Sequence, residues 1–327
     1  MKKTALILSC IIAILVPSLA KDTPTGIVSN HGALSVKQNT IVNSHGQVAS
    51  LAGPSFFWSN TGWGQEKFYH QDVVKYFATK WHAGIVRAAI GADHNGGLEE
   101  DYDENLARAK TIIDAAIKQD IYVIVDFHSH HAEDKVALAK RFFSDIATQY
   151  GSYPHVIYEI YNEPLNNTDW ESTIKPYSQQ LVEHIRGIDK DNIIIVGTQT
   201  WSQDVDKAAL SPLEGKNLAY ALHFYAGSHK ASLIARAQKA IDNGLPIIIS
   251  EWGAVNANGD GGVDKESVSS WMAFAKKNQL IHLSWSVSDK DEGASIFKQQ
   301  TNPSTLSADS LTENGRLLKG IISTWNE

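Results

Sequence analysis

Eight short, apolar segments rich in β-branched residues recur along the chain, and longer segments of helical periodicity separate them. Nearly continuous apolar character suits parallel strands that are covered on both faces. The clearest helical pattern follows Asp101, a candidate N-cap with Glu104 three residues later. Eight strands with intervening helices predict a (β/α)8 TIM barrel. The predicted strands are Ala49–Leu51, Ile85–Ala89, Tyr122–Asp126, Val156–Glu159, Ile193–Gly197, Leu218–His223, Pro246–Ser250 and His282–Ser286.

A doubly wound open sheet is the alternative arrangement of alternating strands and helices. It predicts a glycine-rich phosphate loop after the first strand. The segment at that position reads LAGPSFFWSN and lacks the G-x-G-x-x-G pattern. The chain has 327 residues and shows no internal repeat or linker-like block. We therefore expect one barrel domain over residues 21–327.

The first twenty residues are expected to lie outside the barrel. Lys2 and Lys3 precede a short apolar run, Pro17 interrupts that run, and small residues follow as far as Ala20. This pattern is typical of a secretory signal peptide over residues 1–20. A membrane anchor is the alternative, but the run is short for a membrane span. We therefore expect a secreted protein, either extracellular or periplasmic.

Cysteine content and charge restrict the possible functions. The single cysteine, Cys10, lies in the predicted signal peptide, so the mature chain would have no disulfide, thiolate metal site or cysteine nucleophile. The formal net charge of −7 disfavours nucleic acid and anionic membranes as partners. Nine tryptophans and eleven tyrosines suit a ligand with flat apolar faces and hydroxyl rims, such as a sugar.

Two carboxylates follow predicted strands at the end where barrel enzymes place their active sites. Glu163 lies in YNEP after the fourth strand, and Glu251 lies in SEWG at the end of the seventh. Burying an ionised carboxylate without a partner is costly, so two such groups indicate a function. Carboxyl groups about 5–5.5 Å apart serve retaining glycosidases, and groups roughly 6.5–9.5 Å apart serve inverting ones.

The order of motifs resembles glycoside hydrolase family 5, and in particular its bacterial endoglucanases. Asn-Glu-Pro follows one strand, His-x-Tyr ends a strand two positions later, and Ser-Glu-Trp-Gly ends the next. The resemblance runs roughly from Gly26 to Trp325. It implies a (β/α)8 fold, retaining cleavage of internal β-1,4-glucosidic bonds in a polysaccharide, and no cofactor or metal. We further expect a monomer.

The resemblance also implies roles for individual residues. Glu163 would be the acid/base, with a raised pKa, and Glu251 the nucleophile. Asn162 would bind the 2-hydroxyl of the sugar. Trp58 and Trp201 are candidates for stacking on sugar faces, although packing in the core is an open alternative for both. The further residues that match supporting or substrate-binding positions of the family are Arg87, His128, His223, Tyr225, Trp285, Lys290 and Glu292.

The sequence departs from the family pattern near the first two strands. Some members carry a histidine near the first strand, and the segment GPSFFWSN has none. Gly91 stands near the position of a tyrosine in those members. We therefore expect the subsites on the non-reducing side to be built differently, with Trp58 as a candidate.

Three alternatives stay open from the sequence. Within the family, the substrate could be mixed-linkage glucan, xyloglucan or mannan. A metal-dependent barrel hydrolase could use the cluster His128-Ser129-His130-His131 together with His223. A carbohydrate-binding protein would use the aromatic residues but has no need for two opposed carboxylates.

Overall fold

The computed structural model describes residues 26–326 and forms a closed barrel with helices around it. Its strands are β1 (Ser35–Lys37), β2 (Thr40–Val42), β3 (Ala52–Phe56), β4 (Ile85–Gly91), β5 (Tyr122–His128), β6 (Val156–Glu159), β7 (Ile194–Val196), β8 (Leu218–Tyr225), β9 (Ile247–Gly253) and β10 (His282–Val287). Strands β3 to β10 are parallel, and β10 pairs with β3 to close the barrel. The predicted (β/α)8 barrel is confirmed, and closure rules out the doubly wound sheet.

Most helices lie between successive barrel strands, whereas the first precedes β1 and the last follows β10. The helices are α1 (Ile27–His31), α2 (Gln71–Lys80), α3 (Tyr102–Gln119), α4 (Val136–Tyr150), α5 (Lys175–Ile188), α6 (Gln199–Ser202), α7 (Val205–Ala208), α8 (Ala231–Asp242), α9 (Lys265–Lys277) and α10 (Glu313–Ser323). Shorter helical turns cover Glu66–Phe68, Ala132–Lys135, Trp170–Ile174, Pro303–Thr305 and Ala308–Ser310. Among residues 26–326, none of the helices has the length and apolar character that crossing a membrane requires.

Alternation along the strands divides the core into two layers. In β4, Val86 and Ala88 belong to the large apolar cluster that includes the helices. Ile85 belongs instead to the cluster inside the barrel, and Arg87 follows it two residues later. In β6, Ile157 lies in the inner cluster and Glu159 follows in the same way. The period of two therefore places Arg87 and Glu159 inside the barrel, nearer to the C-terminal ends of the strands than Ile85 and Ile157.

The prediction for the first strand was wrong. The strand spans Ala52–Phe56, three residues after the predicted Ala49–Leu51. The strand includes Gly53 and Pro54, two residue types that are disfavoured in strand interiors. A Cβ on Gly53 would lie 1.6 Å from the Ile85 carbonyl oxygen, so close packing against β4 requires glycine there. Several later strands run further toward the site than predicted, β9 as far as Gly253.

Residues before the barrel form a small hairpin of β1 and β2 that the sequence reading missed. Val28, Leu34 and Ile41 pack with the inner apolar cluster of the barrel. Ala49 donates its backbone N–H to the Ile41 carbonyl, which explains why this apolar segment does not join the barrel. The N-terminal segment thus supplies apolar side chains to the inner core.

Helix α3 begins where Asp101 predicted it, but the expected cap differs. Asp101 occupies the N-cap position without a side-chain hydrogen bond to the helix. Its carboxylate accepts from the hydroxyl of Thr61 in the loop after β3. The predicted signal peptide, residues 1–20, lies outside the described residues and stays a prediction.

Candidate active site

Arg87 is the centre of a buried polar cluster at the C-terminal end of the barrel. Its side chain is fully buried, so each donor requires a partner. Nε donates to Glu159 Oε2 at 2.7 Å, and Nη1 donates to Glu251 Oε2 at 2.9 Å. Nη2 donates to Asn162 Oδ1 at 2.7 Å and lies 3.0 Å from Asp126 Oδ2. One guanidinium therefore fixes groups from β5, β6 and β9 and from the segment after β6.

Glu163 lies between two histidines at the edge of this cluster. His223 Nδ1 is 3.0 Å from Glu163 Oε1, and His130 Nε2 is 3.2 Å from Oε2. Burial raises the pKa of Glu163, but the hydrogen bonds and charges of His130 and His223 outweigh burial and lower that pKa to about 2. The prediction of a raised pKa was therefore wrong for the free protein, because the neighbouring histidines stabilise the carboxylate.

His223 carries the complementary shift. Burial lowers its pKa, but Glu159, whose carboxylate lies 3.6 Å from Nε2, the hydrogen bond to Glu163 and the charge of Glu251 outweigh burial and raise the pKa to about 9. In the free protein the proton of the Glu163–His223 pair therefore resides on the imidazole. The pair titrates as a unit because the two groups are in direct contact.

Glu251 accepts from two donors. Tyr225 donates its hydroxyl to Oε1 at 2.7 Å, and Arg87 donates to Oε2. Burial and the charge of Glu163 raise the pKa of Glu251, while the charges of His223 and Arg87 and the Tyr225 hydrogen bond oppose the rise. One carboxylate oxygen of Glu163 lies within 4.8 Å of one of Glu251.

An aromatic wall stands beside the two carboxylates. His128 Nδ1 lies 2.6 Å from Asp126 Oδ2, and this contact orients the imidazole ring. The ring stacks on Trp285 with centroids 5.4 Å apart and an interplanar angle of 6°. The Trp58 ring meets the same imidazole edge-on at 4.1 Å.

Trp58 and Asn60 occupy the space near Gly91. A Cβ on Gly91 would lie 1.8 Å from Asn60 Oδ1 and 3.1 Å from Trp58 Cε3. Trp63, which the sequence reading missed, stacks on Trp58 with centroids 5.8 Å apart and is 38% exposed. Its Nε1 donates to the Asn95 carbonyl at 3.0 Å. Two tryptophans of the loop after β3 thus form a surface that reaches solvent.

Trp201 is presented by a left-handed turn. Thr200, Trp201 and Ser202 have φ values of 62°, 52° and 55°. Trp201 N donates to the Pro164 carbonyl at 2.8 Å, and Ser202 Oγ donates to the Asn162 carbonyl at 2.8 Å. These bonds fix the exposed indole beside the Asn162–Glu163–Pro164 segment.

The cleft above the cluster has a volume of about 350 Å³. Lys290 lies over the Phe57 ring and 2.7 Å from Glu292. Two of the twelve predicted residues, Arg87 and His223, are buried beneath the cleft. The other ten line it, namely Trp58, His128, Asn162, Glu163, Trp201, Tyr225, Glu251, Trp285, Lys290 and Glu292.

Several residues that contact the predicted site residues were not identified from the sequence. His130 contacts Glu163, and Asp126 and Glu159 contact Arg87. The signal for Glu159 was present, because a carboxylate ends the apolar run VIYE at an interior position. Ser250 also belongs to the site, because its hydroxyl donates to Glu159 Oε1 at 2.6 Å. No sequence signal marked this role, since a serine beside Glu251 has no distinctive spacing.

The rival zinc site would need the histidines after β5 to converge. Over residues 26–326, two groups of three candidate ligands have their atoms within 4.8 Å of one another. One is His131, Glu133 and Asp134, and the other is Glu163, His223 and Glu251. Neither contains His128 or His130, because those imidazoles contact Asp126 and Glu163 respectively.

Comparison with known proteins gives consistent results. A family model described as Cellulase (glycosyl hydrolase family 5) matches residues 42–291. Endoglucanase Z of Dickeya dadantii is 46% identical over 292 residues, which cover 89% of this chain and 66% of that protein. An endoglucanase of Clostridium saccharobutylicum is 34% identical over 332 residues, which cover 99% of this chain and 73% of that protein. The chain therefore spans about two thirds of the first relative's length.

Solved structures agree in fold. A structure from Cytophaga hutchinsonii superposes with a TM-score of 0.89 at 40% identity and covers 92% of this chain and 97% of its own. The catalytic domain of Thermobifida fusca endoglucanase Cel5A superposes with a TM-score of 0.85 at 27% identity and covers 90% and 99%. The predicted family is confirmed: this chain belongs to glycosyl hydrolase family 5.

Proposed function

We propose that the protein is a secreted, monomeric, retaining endo-β-1,4-glucanase. The observation that carries the proposal is the approach of Glu163 and Glu251 to within 4.8 Å between oxygens. This approach favours the carboxyl spacing of about 5–5.5 Å in retaining glycosidases over the roughly 6.5–9.5 Å of inverting ones, and it supports direct attack by one carboxylate. A carbohydrate-binding protein would have no use for such a pair.

The first step would form a glycosyl-enzyme intermediate. Glu251 attacks the anomeric carbon while the bond from that carbon to the glycosidic oxygen breaks, and Glu163 gives its proton to the departing oxygen. Arg87 and Tyr225 point their donors at Glu251 and hold the carboxylate ready for attack. His130 and His223 each contact one oxygen of Glu163, so the proton that this step consumes lies within hydrogen-bond distance of Glu163.

The second step would release the sugar. Glu163, now ionised, takes a proton from water, and the resulting hydroxide displaces Glu251 from the anomeric carbon. Asn162 Oδ1 accepts a hydrogen bond from Arg87 Nη2, so the Nδ2 hydrogens of Asn162 are left for the sugar 2-hydroxyl. Two displacements restore the β configuration.

The cleft supports a polymeric substrate. Trp201 and Trp63 are exposed apolar surfaces on the rim, and Trp285 and Trp58 pack against His128 to form the aromatic wall beside the carboxylates. The Thermobifida fusca relative has been crystallised with cellotetraose, which supports a β-1,4-glucan for this chain. Mixed-linkage glucan, xyloglucan and mannan are the alternatives within the family.

The proposal can be tested with soluble substrates. NMR of the first products from a cello-oligosaccharide should show the β-anomer. The viscosity of carboxymethylcellulose should fall faster than reducing ends appear. Initial α-anomer would contradict retention, and a viscosity that falls only in step with reducing ends would contradict internal cleavage. Faster turnover of xyloglucan or mannan in a substrate panel would reassign the substrate.

A further inference from the structure

A buried hydrogen-bond chain runs from His223 to Arg87 behind the two catalytic carboxylates. His223 Nε2 lies 2.9 Å from Ser250 Oγ, and Ser250 Oγ donates to Glu159 Oε1 at 2.6 Å. Arg87 Nε donates to the other oxygen of Glu159 at 2.7 Å. Glu159 and Ser250 have no exposed surface. Each polar group of this hydrogen-bond chain is therefore satisfied by another buried group of the protein.

The position of each proton in this hydrogen-bond chain can be assigned. Arg87 has only donors, so its ion pair keeps Glu159 an acceptor. The single hydroxyl proton of Ser250 is engaged with Glu159, which leaves Ser250 Oγ only the role of acceptor toward His223. His223 Nε2 must then carry a proton. The other ring nitrogen, Nδ1, faces Glu163 Oε1.

This tautomer allows two states of the Glu163–His223 pair. Either the imidazolium donates from Nδ1 to an ionised Glu163, or a protonated Glu163 donates to a neutral Nδ1. Both states contain one proton between Nδ1 and Oε1. A neutral His223 protonated on Nδ1 would instead donate to Glu163 and would match only the carboxylate, so the acid step would lack its proton.

We propose that Glu159 and Ser250 are positioning residues that hold His223 Nε2 protonated, so that the proton required by Glu163 is kept between His223 Nδ1 and Glu163 Oε1. The inference rests on the proposed retaining hydrolysis. The shared proton leaves through Glu163 to the glycosidic oxygen as the glycosyl-enzyme bond to Glu251 forms, and water restores it when that bond is hydrolysed. Both residues act through His223 and lie beneath the cleft.

Ser250→Ala is the sharpest test because it removes one hydroxyl and changes no charge. The charged and titratable groups around the Glu163–His223 pair stay in place. Those near His223 are Arg87, Asp126, His128, Glu159 and Glu251. Those near Glu163 are His130, Tyr225 and His229. Ser250→Thr keeps a hydroxyl and serves as the conservative variant. Ser178→Ala is the matched control, since that buried hydroxyl has no hydrogen-bond partner among residues 26–326.

We expect Ser250→Ala to lower kcat on cellopentaose by about 10- to 100-fold, less than the loss of a whole general acid, with KM nearly unchanged. A dinitrophenyl cellobioside needs no proton on its leaving group, so its turnover should fall by no more than about threefold. The high-pH limb of kcat/KM should move to lower pH, because the protonated pair has lost an acceptor. Ser250→Thr should restore both properties, and Ser178→Ala should resemble wild type.

NMR of the full chain labelled with ¹⁵N-histidine provides a readout that needs no substrate. Wild-type His223 should show a protonated Nε2 at every pH at which the protein is folded. A neutral His223 protonated on Nδ1 would overturn the proposal, as would equal losses of Ser250→Ala on both substrates with an unmoved pH limb. A wild-type protein that hydrolyses no glucan would reject the proposed function, and the NMR result would still decide the state of His223.

Discussion

Arg87 donates from Nη1 to Oε2 of Glu251 at 2.9 Å, and the same guanidinium holds Glu159 through Nε at 2.7 Å. The nucleophile candidate is therefore fixed by a donor that cannot lose its charge near neutral pH. The guanidinium also joins the two sides of the barrel, because Glu159 belongs to β6 and Glu251 belongs to β9.

Replacing Glu251 by Gln should abolish turnover. An amide of similar size keeps the shape of the site but cannot attack the anomeric carbon, so kcat should fall by more than about 10⁴-fold. A 2-fluoro glycoside should label Glu251 in the wild type, and mass spectrometry of peptides identifies the site. A label on any other residue would show that the nucleophile has been assigned wrongly.

Replacing Glu163 by Ala should separate substrates by their leaving groups. Turnover of natural glucan should fall by about 10²- to 10⁴-fold, because the departing oxygen loses its proton donor. The first step on dinitrophenyl cellobioside should be affected much less. Azide should accelerate release of the sugar as a glycosyl azide, since an anion needs no general base. Equal losses in the first step on both substrates would argue against the acid role.

Removing the Trp63 indole should weaken the binding of long substrates. Trp63 is 38% exposed and stacks on Trp58, so it offers a sugar-sized surface at the rim. Trp63→Ala should raise KM for cellopentaose by about 2- to 10-fold, as expected for one stacking contact. Tyr153→Ala removes an exposed aromatic residue that lies before β6, away from the cleft, and is the control. An unchanged KM in Trp63→Ala would exclude Trp63 from substrate binding.

His282 should make the protein less stable in acid. Its Nδ1 accepts from Trp252 Nε1 at 3.1 Å, and its ring packs edge-on against Trp325. Burial, with a smaller effect of the Lys276 charge, lowers the pKa of His282 to about 3. The unfolded chain takes up this proton near pH 6.5, so the unfolded state binds more protons between the two pKa values.

The free energy of unfolding should therefore fall with decreasing pH, and the contribution of His282 should approach about 1.4 kcal/mol per pH unit below pH 6.5. Denaturant unfolding of wild type and His282→Gln between pH 7 and pH 4 isolates this contribution, because Gln can still accept from Trp252. His45→Gln at an exposed site controls for the loss of a histidine. Identical slopes in wild type and His282→Gln would refute the assignment.

Chelation should leave hydrolysis unaffected. The proposed steps use the carboxylates of Glu163 and Glu251, and His223 is engaged with Glu163 and Ser250. Activity on carboxymethylcellulose should be the same before and after dialysis against EDTA. Activity that disappears with EDTA and returns with zinc would restore the metal-hydrolase hypothesis, and His131→Ala would then test the group of His131, Glu133 and Asp134.

The sequence by itself determined the barrel and the position of its two carboxylates. Apolar runs separated by helical periodicity predicted eight parallel strands, and an Asn-Glu-Pro and a Ser-Glu-Trp-Gly at strand ends placed Glu163 and Glu251 on one rim. The period of two along each strand also assigns Glu159 to the interior, although the sequence reading did not use that fact.

The tertiary structure decided which of these groups meet and where the proton resides. The first barrel strand, β3, begins at Ala52, because only glycine at position 53 allows this strand to approach the Ile85 carbonyl. The pKa of Glu163 is lowered because His223 reaches it from β8 and His130 reaches it from the loop after β5. Such shifts depend on distances between residues far apart in the chain, and a local sequence pattern carries no information on those distances.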